Sequence, residues 1–298
     1  MQPILEKLNS GKVLVADGAM GTMLFNKGLS SGNCPELFNL THPQLISEIA
    51  SEYLNAGADI IQKNTFGGSR LKLKNYNLDI DADRINRTGV ELAKKAVQNS
   101  AYVSASCGPS GELLKPYGSI SENEMFDNYC EQTSSFIQNG ADIICIETMT
   151  DLNEAVIAVK AAKTISPSIP VISTMTFDKT PKGFYTIMGD DIAKACKKLI
   201  NAGADIVGSN CGHGIENMIE IAREFKKHSC KPIIIQSNAG IPVYHQDNLI
   251  YPETPEYFRE KIKSLIEVGV SIIGGCCGTT PNHINVIRSV VDSYQWKN

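Results

Sequence analysis

A parallel α/β protein closed as a (β/α)8 barrel is the architecture this sequence predicts, and three observations predict it. Eight short apolar runs are spaced along the 298 residues. Stretches with apolar residues at helical spacing separate them. One pattern recurs four times, in AGADIIQKNTF from Ala56, NGADIICIET from Asn139, NAGADIVGSNC from Asn201 and VGVSIIGGCC from Val268. Short strands alternating with helices imply a parallel sheet with crossover helices, and eight such units in this length suit a closed barrel. A doubly wound open sheet is the competing arrangement. No Gly/Pro/Ser-rich linker divides the chain, so residues 1–298 read as one domain.

The elements follow in order. KVLVADG (12–18) is the first strand, and PQLISEIASEYLNAG from Pro43 is a helix that ends at a glycine suited to a C-terminal cap. The four repeats supply the even-numbered strands. AYVSASCGP from Ala101, PVISTMTF from Pro170 and PIIIQSNAG from Pro232 supply the other odd ones. DLNEAVIAVKAAK, IAKACKKLINAG and GIENMIEIAREFKK carry helical periodicity between them. Long loops are expected at 24–43, 108–123 and 178–190, after the first, third and fifth strands. RLKLKNY (Arg70 to Tyr76) reads as a solvated helix face or as a patch for an acidic partner.

Composition narrows the function. The chain is 42% hydrophobic and 20% charged, as a globular protein should be. Its net charge of -4, with no basic block, predicts no nucleic-acid partner and no attraction to an anionic membrane. MQPILEKLNSGK lacks the basic-then-apolar order of a signal peptide, and no apolar run is long enough to span a bilayer. The expected location is the cytoplasm. There the nine cysteines should be reduced, and clustered ones point to metal binding or catalysis before disulfides.

In this fold the site lies at the C-terminal ends of the strands. Those ends read Asp17-Gly18, Asn64-Thr65, Ser106-Cys107, Glu147-Thr148, Thr176, Asn210-Cys211, Asn238 and Cys276-Cys277. Apolar strands thus turn polar or thiol-bearing at one rim. Cys211 ends the sixth strand and Cys276-Cys277 the eighth, so their backbones lie roughly 10 Å apart. Inward-reaching side chains close that gap onto one ion. Three thiolates suit Zn2+ and leave its fourth position open, as in a catalytic site. Adjacent side chains in a regular strand point to opposite faces, so the pair needs the irregular backbone that Gly274, Gly275 and Gly278 permit. Other readings compete at this point: a Cys276-Cys277 vicinal disulfide, small buried hydrophobes, Cys107 in place of Cys211, or His213 as a ligand. Asp17 offers negative charge to an ammonium group, and the turn Gly18 to Thr22, with Gly21, offers backbone N–H groups to a carboxylate. Glu147, if buried, needs a cation.

Taken in order, DGAMGT, NTFGG, the SNCG around Cys211, SNAG and GGCCGTTP resemble the homocysteine S-methyltransferase family from about residue 10 to 290. The likeness is closest to the homocysteine-binding module of cobalamin-dependent methionine synthase. It implies a (β/α)8 barrel that holds zinc through Cys211, Cys276 and Cys277 and transfers a methyl group to homocysteine sulfur. It implies Asp17 and Glu147 as partners of the substrate ammonium, and for Asn238 an oxygen that contacts zinc when substrate is absent. The family's methyl donors are methylcobalamin on a corrinoid protein, betaine or S-methylmethionine. ADIIQKNTFGGSR and GPSGELLKPYGS look more like the cobalamin-linked module, so methylcobalamin on a separate corrinoid protein is the expected donor. GHG after Cys211 departs from the family pattern, which places His213 near the donor or acceptor pocket and leaves room for another small thiol as acceptor. A phosphate-binding barrel enzyme, with Lys63 as its strand-end lysine, and a thiol-binding subunit without turnover are the rival classes.

Overall fold

The computed structural model describes residues 1–30, 32–245 and 248–294. Its main sheet has eight parallel strands: β1 (Leu14–Val15), β2 (Ile60–Gln62), β3 (Tyr102–Cys107), β4 (Ile143–Met149), β5 (Val171–Met175), β6 (Ile206–Asn210), β7 (Ile233–Ser237) and β8 (Ile272–Gly275). Each strand pairs with its successor from β2 to β8, and β8 pairs in turn with β1. A bridge between Ala16 and Ile60 joins β1 to β2 and closes the cylinder. The eight barrel helices are α1 (Pro43–Asn55), α2 (Ala82–Val97), α3 (Glu122–Gln138), α4 (Leu152–Ile165), α5 (Ile192–Ala202), α6 (Ile215–His228), α7 (Pro255–Val268) and α8 (Pro281–Ser293).

Two apolar layers follow from the period-2 alternation of each strand. Ile60, Tyr102, Ile143, Ile172, Ile206, Ile234 and Ile272 point inward and pack with Ile4 and Leu8, so the helix Ile4–Asn9 plugs the N-terminal end. Their outward neighbours, among them Ile61, Val103, Ile144, Val207 and Ile273, pack beneath the helices. Toward the other end the inward positions become polar. Gln236 Nε2 donates to Gln62 Oε1 at 2.9 Å there, and Thr174 Oγ1 donates to Asn210 Oδ1 at 2.8 Å.

The fourfold repeat has a physical explanation in three parts. Each repeat glycine lies in the left-handed region, at φ 95° for Gly57, 83° for Gly140, 112° for Gly203 and 92° for Gly269. Each also sits against the aliphatic stem of a cation, namely Arg288, Lys94, Lys163 and Lys226 in turn. In the first three repeats the following aspartate grips that cation and an amide at the start of the preceding strand. Asp59 Oδ2 accepts from Val15 N at 2.9 Å and Arg288 at 3.0 Å. Asp142 accepts from Val103 N at 2.8 Å and Lys94 at 3.1 Å. Asp205 accepts from Val171 N at 2.9 Å and Lys163 at 2.7 Å. The fourth repeat has Ser271 at this position, and among the described residues Lys226 has no ion pair.

The loops differ in part from expectation. The stretch expected as a loop at 24–43 contains the end of the helix Met20–Asn26 and a short helical run, Pro35–Leu37 and Phe38–Thr41. The β5 loop carries a hairpin, Asp178–Thr180 with Gly183–Tyr185. Long segments also follow β2 and β7, the latter with a second hairpin, Val243–His245 with Asn248–Ile250. These hairpin strands are too short to show a periodicity. Of the Arg70–Tyr76 stretch, Arg70–Leu73 forms one helical turn capped by Ser69, with Leu73 buried beneath it.

The missing fourth aspartate can be supplied. Ser271 is half-buried, as Asp59, Asp142 and Asp205 are. A hydrogen bond to a charged group contributes about 1–3 kcal/mol. Urea denaturation should therefore find Ser271→Asp more stable by about 1 kcal/mol and Asp205→Ala less stable by about 2 kcal/mol. A destabilised Ser271→Asp protein would remove this account of the repeat.

Candidate metal and substrate site

Cys211 follows β6 with its own backbone in the left-handed region, at φ 62°. That conformation is uncommon for a residue with a Cβ, and two backbone hydrogen bonds hold it: Cys211 N donates to Gln236 O at 3.1 Å, and His213 N to Cys211 O at 2.8 Å. Beyond β8, Cys276 N donates to Ser237 O at 2.7 Å and Ala239 N to Cys277 O at 2.9 Å. The backbone turns between the two cysteines because its glycines let it. A Cβ on Gly275 would lie 2.2 Å from Thr279 Oγ1, and one on Gly278, at φ 81°, would lie 2.1 Å from the Tyr251 ring.

This geometry gathers the three sulfurs, which all lie within 4.8 Å of one another. Cys211 Sγ and Cys277 Sγ are 3.8 Å apart. For a tetrahedral zinc ion with Zn–S bonds near 2.3 Å, ligand sulfurs stand about 3.8 Å apart, so the donors suit that ion in type and spacing. Thiol hydrogen bonds from Cys276 and Cys277 pull the Cys211 thiol well below its ordinary range, while the same interactions and burial push Cys276 and Cys277 up. The three sulfurs thus disfavour sharing negative charge, and a dication among them would favour their ionised forms. Asn238 adds a neutral donor: its side chain also hydrogen-bonds Cys211, and its Oδ1 is buried without a partner.

Two of the competing residues lie elsewhere. Cys107 Sγ points to Gln132 Oε1 at 3.0 Å, on the helix side of β3. His213 does not line the central cavity; its ring meets Phe184 edge-on at 6.5 Å and its Nδ1 faces Asn217 at 3.3 Å. The left-handed turn at Cys211 and Gly212 sends the histidine toward α6 and the β5 hairpin. All nine cysteines are free thiols.

The cavity beside the sulfurs measures about 370 Å³, and Gly18, Gly21, Thr22, Glu147 and the three cysteines are among its lining residues. Asp17 lies beneath it, 2% exposed, with Oδ2 accepting from Gln62 N at 2.7 Å and Oδ1 unpartnered. Burial raises its carboxyl well above the usual range, and the charge of Glu147 adds to this. Glu147 accepts from Ser106 Oγ and, at 3.3 Å, from Asn210 Nδ2. Burial pushes its pKa up to about 7. Among the described residues neither carboxylate has a basic side chain paired with it. The pair therefore suits a ligand that brings its own positive charge. Opposite them, the helix Met20–Asn26 begins without a side-chain cap, and its first N–H groups have no partner within the helix. Thr22 Oγ1 accepts from Gly278 N at 3.0 Å, and Ala19 N donates to Thr279 Oγ1 at 3.2 Å. The first and last βα loops are thereby locked together around the sulfurs.

Several site residues escaped sequence reasoning. Asn210 was noted only as a strand end, yet it joins Glu147, Thr148 and Thr174. Glu36 lines the cavity, held by Gly67 N at 2.7 Å, and Phe66 lies beside it. Tyr251 hydrogen-bonds Cys277, and burial lifts its pKa to about 12. Lys63, the strand-end lysine, is buried with no partner for Nζ, and burial holds its amine well below the usual range. Lys63 is among the residues that line the cavity, and the charges felt at its amine are those of Asp142 and Lys94.

Comparison with known proteins identifies the family of this chain. A family model described as homocysteine S-methyltransferase matches residues 14–291. The methionine synthase of Mycobacterium leprae is 32% identical over 305 residues, and that of Mycobacterium tuberculosis 33% over 302. These alignments cover 97% and 95% of this chain, but the chain spans only 25% of the length of either relative. The crystal structure of the homocysteine methyltransferase MmuM from Escherichia coli, in metallated form, superposes with a TM-score of 0.78 at 21% identity, covering 97% of this chain and 99% of that one.

Glu147 also links the site to stability. Its proton is held more tightly in the folded protein than in the unfolded chain, so stability falls as pH rises from about 4.5 through 7. Glu147→Gln removes that penalty. By calorimetry the ligand-free variant should be more stable than the parent by about 3 kcal/mol at pH 8, with the gain vanishing toward pH 4.5. A variant less stable than the parent at pH 8 would contradict the buried-charge reading.

Proposed function

The chain belongs to the homocysteine S-methyltransferase family, and from that premise we propose that it converts homocysteine to methionine, with zinc, which Cys211, Cys276 and Cys277 would hold, activating the substrate thiol and the methyl group taken from methylcobalamin on a separate corrinoid protein. One observation carries the reading: three sulfurs at zinc-ligand spacing stand beside two buried carboxylates that lack a cation. Cys211, Cys276 and Cys277 would hold the ion, and Asn238, whose buried Oδ1 has no partner beside Cys211, would offer it a neutral oxygen. When bound, zinc supplies a Lewis acid that keeps the substrate sulfur deprotonated at neutral pH.

The chain's own residues do the rest. Asp17 and Glu147 receive the substrate ammonium, and the N–H groups at the start of Met20–Asn26, in the Gly18–Thr22 loop, receive its carboxylate. With both ends held, the sulfur is aimed at the mouth of the cavity. It forms the new bond to the methyl carbon with its own electron pair. The donor's bond to that carbon breaks and leaves its pair on the donor, and the thiol proton passes to solvent. A free thiol of pKa near 8.5 is a few per cent thiolate at pH 7, so ionisation alone gains at most about 30-fold, or about 2 kcal/mol. Part of that is lost because nucleophilicity falls with pKa. Orientation contributes several kcal/mol more, which is why the amino-acid contacts matter as much as the ion.

The similarity to methionine synthases supports the corrinoid donor. Phe66 and Glu36, an aromatic face and a carboxylate in the same cavity, favour a second reading in which a small onium donor, S-methylmethionine or betaine, enters instead. We read residues 1–298 as one catalytic barrel acting in the cytoplasm; no helix among the described residues is long and apolar enough to cross a membrane.

The test is a donor panel. Purified zinc-loaded protein is given homocysteine with methylcobalamin, betaine or S-methylmethionine, and Cys277→Ser serves as control. The parent should hold about one zinc per chain. The control should lose the metal and, on the order of, a hundredfold in rate, with its far-UV dichroism unchanged. A control that methylates at the parent rate sinks the ligand assignment. A parent that binds zinc and homocysteine but uses no donor is a binding subunit.

A further inference from the structure

Two threonines follow the paired cysteines in GGCCGTTP, and the chemistry proposed above uses neither. Thr280 stands at the start of α8, where its N–H donates to His283 Nδ1 at 3.2 Å. Thr279 has a different place. It is fully buried between the first and last βα loops, both of which line the cavity. Its hydroxyl donates to Cys276 O at 2.7 Å and accepts from Ala19 N at 3.2 Å. The chain of donors therefore runs one way, from the turn at Ala19 to the carbonyl of a metal-site cysteine. Other bonds run alongside. Gly275 N donates to Asp17 O at 2.9 Å, and Gly278 N to Thr22 Oγ1 at 3.0 Å. Tyr53, buried on α1, shares its hydroxyl proton between Ala19 O at 3.0 Å and Thr279 O at 3.3 Å. The packing leaves no slack. A Cβ on Gly18 would lie 2.7 Å from Thr279 Oγ1, and one on Gly275 2.2 Å from it. Neither loop can shift without the other.

We propose that Thr279 is a positioning residue that couples the two halves of the site: a metal ion held by Cys276 and Cys277 sets the Gly18–Thr22 turn for the amino-acid end of the substrate, and the bound amino acid in return tightens the metal. The inference rests on the reading above, in which the cysteines hold zinc and the turn receives the substrate carboxylate. The hydroxyl carries the link. Valine has the same shape, but it would leave Ala19 N without its buried acceptor. Such coupling is reciprocal: zinc changes the affinity for the amino acid by the same factor as the amino acid changes the affinity for zinc. A ligand without sulfur exposes it. L-2-Aminobutyrate has the ammonium, carboxylate and carbon chain of homocysteine but no thiol to place on the ion. An effect of zinc on its binding that needs Thr279 passes through the protein, whereas direct attraction between the ion and the ligand's charges would survive the valine substitution.

The experiment titrates the full chain with L-2-aminobutyrate by calorimetry, zinc-loaded and zinc-free, under reducing conditions. The parent should bind it about fivefold or more tightly when zinc-loaded, and zinc uptake against a competing chelator should tighten by the same factor when 2-aminobutyrate is saturating. Thr279→Val should still hold about one zinc per chain. Its zinc effect on 2-aminobutyrate should shrink to within about twofold, and Thr279→Ser, which keeps the hydroxyl, should restore the parent's factor. Tyr53→Phe, which leaves the Thr279 bridge in place, should give an intermediate factor, and it carries the test if Thr279→Val does not fold. A parent whose affinity ignores zinc overturns the proposal. So does a folded Thr279→Val protein with the parent's factor, a Thr279→Ser protein no better than the valine one, or, where valine does not fold, a Tyr53→Phe protein with the parent's factor. Failure of the underlying reading looks different and removes both: the parent then takes up no zinc, or binds neither 2-aminobutyrate nor homocysteine.

Discussion

Three sulfur atoms from two strands that are not neighbours must meet at one point, and barrel closure is what makes them meet. β7 lies between β6 and β8, so Cys211 can approach Cys276 and Cys277 only where strands end and the backbone is free to turn inward. The turn on the β6 side is held by the left-handed conformation of Cys211. On the β8 side it is allowed by glycines packed against Thr279 and Tyr251. Much of the mouth is arranged around that convergence. Thr22 and Thr279 tie the first and last loops together, and Asn210 joins the sixth strand to the carboxylate on the fourth.

The two carboxylates express the complementary constraint. A buried acid without a cation is costly; burial raises the pKa of both Asp17 and Glu147, and hydrogen bonds from Gln62 N and Ser106 Oγ offset part of the cost. Stability is thereby given up at the place where an amino-acid substrate would supply the missing charge. The thiols show the same logic with the opposite partner, because a dication relieves their shared negative charge.

Much of this was legible in the sequence, for reasons that can be named. The eight strands could be found because each is a short apolar run, and four of them follow a glycine that terminates a helix. The polar and thiol-bearing strand ends marked the rim, since inward positions can change character only there. Residues that reach the site along a loop were illegible. Glu36 arrives from a stretch expected as a long loop, and Tyr251 from just beyond a hairpin whose strands are three residues each. His213 was misplaced because its direction depends on the φ of Cys211 and Gly212, which no pattern of residue types reveals. The GAD repeat was visible as a motif, but its meaning required seeing which helix supplies each cation.

That repeat is broken in one place, and the place matters. Three junctions at the closed end of the cylinder are clasped by aspartate, and the fourth, where Ser271 precedes β8, is not. The unclasped sector is the one that delivers two of the three thiols. An ion gripped by Cys211 on one side and Cys276-Cys277 on the other would straddle that sector from the opposite end, as a staple where a buckle is absent.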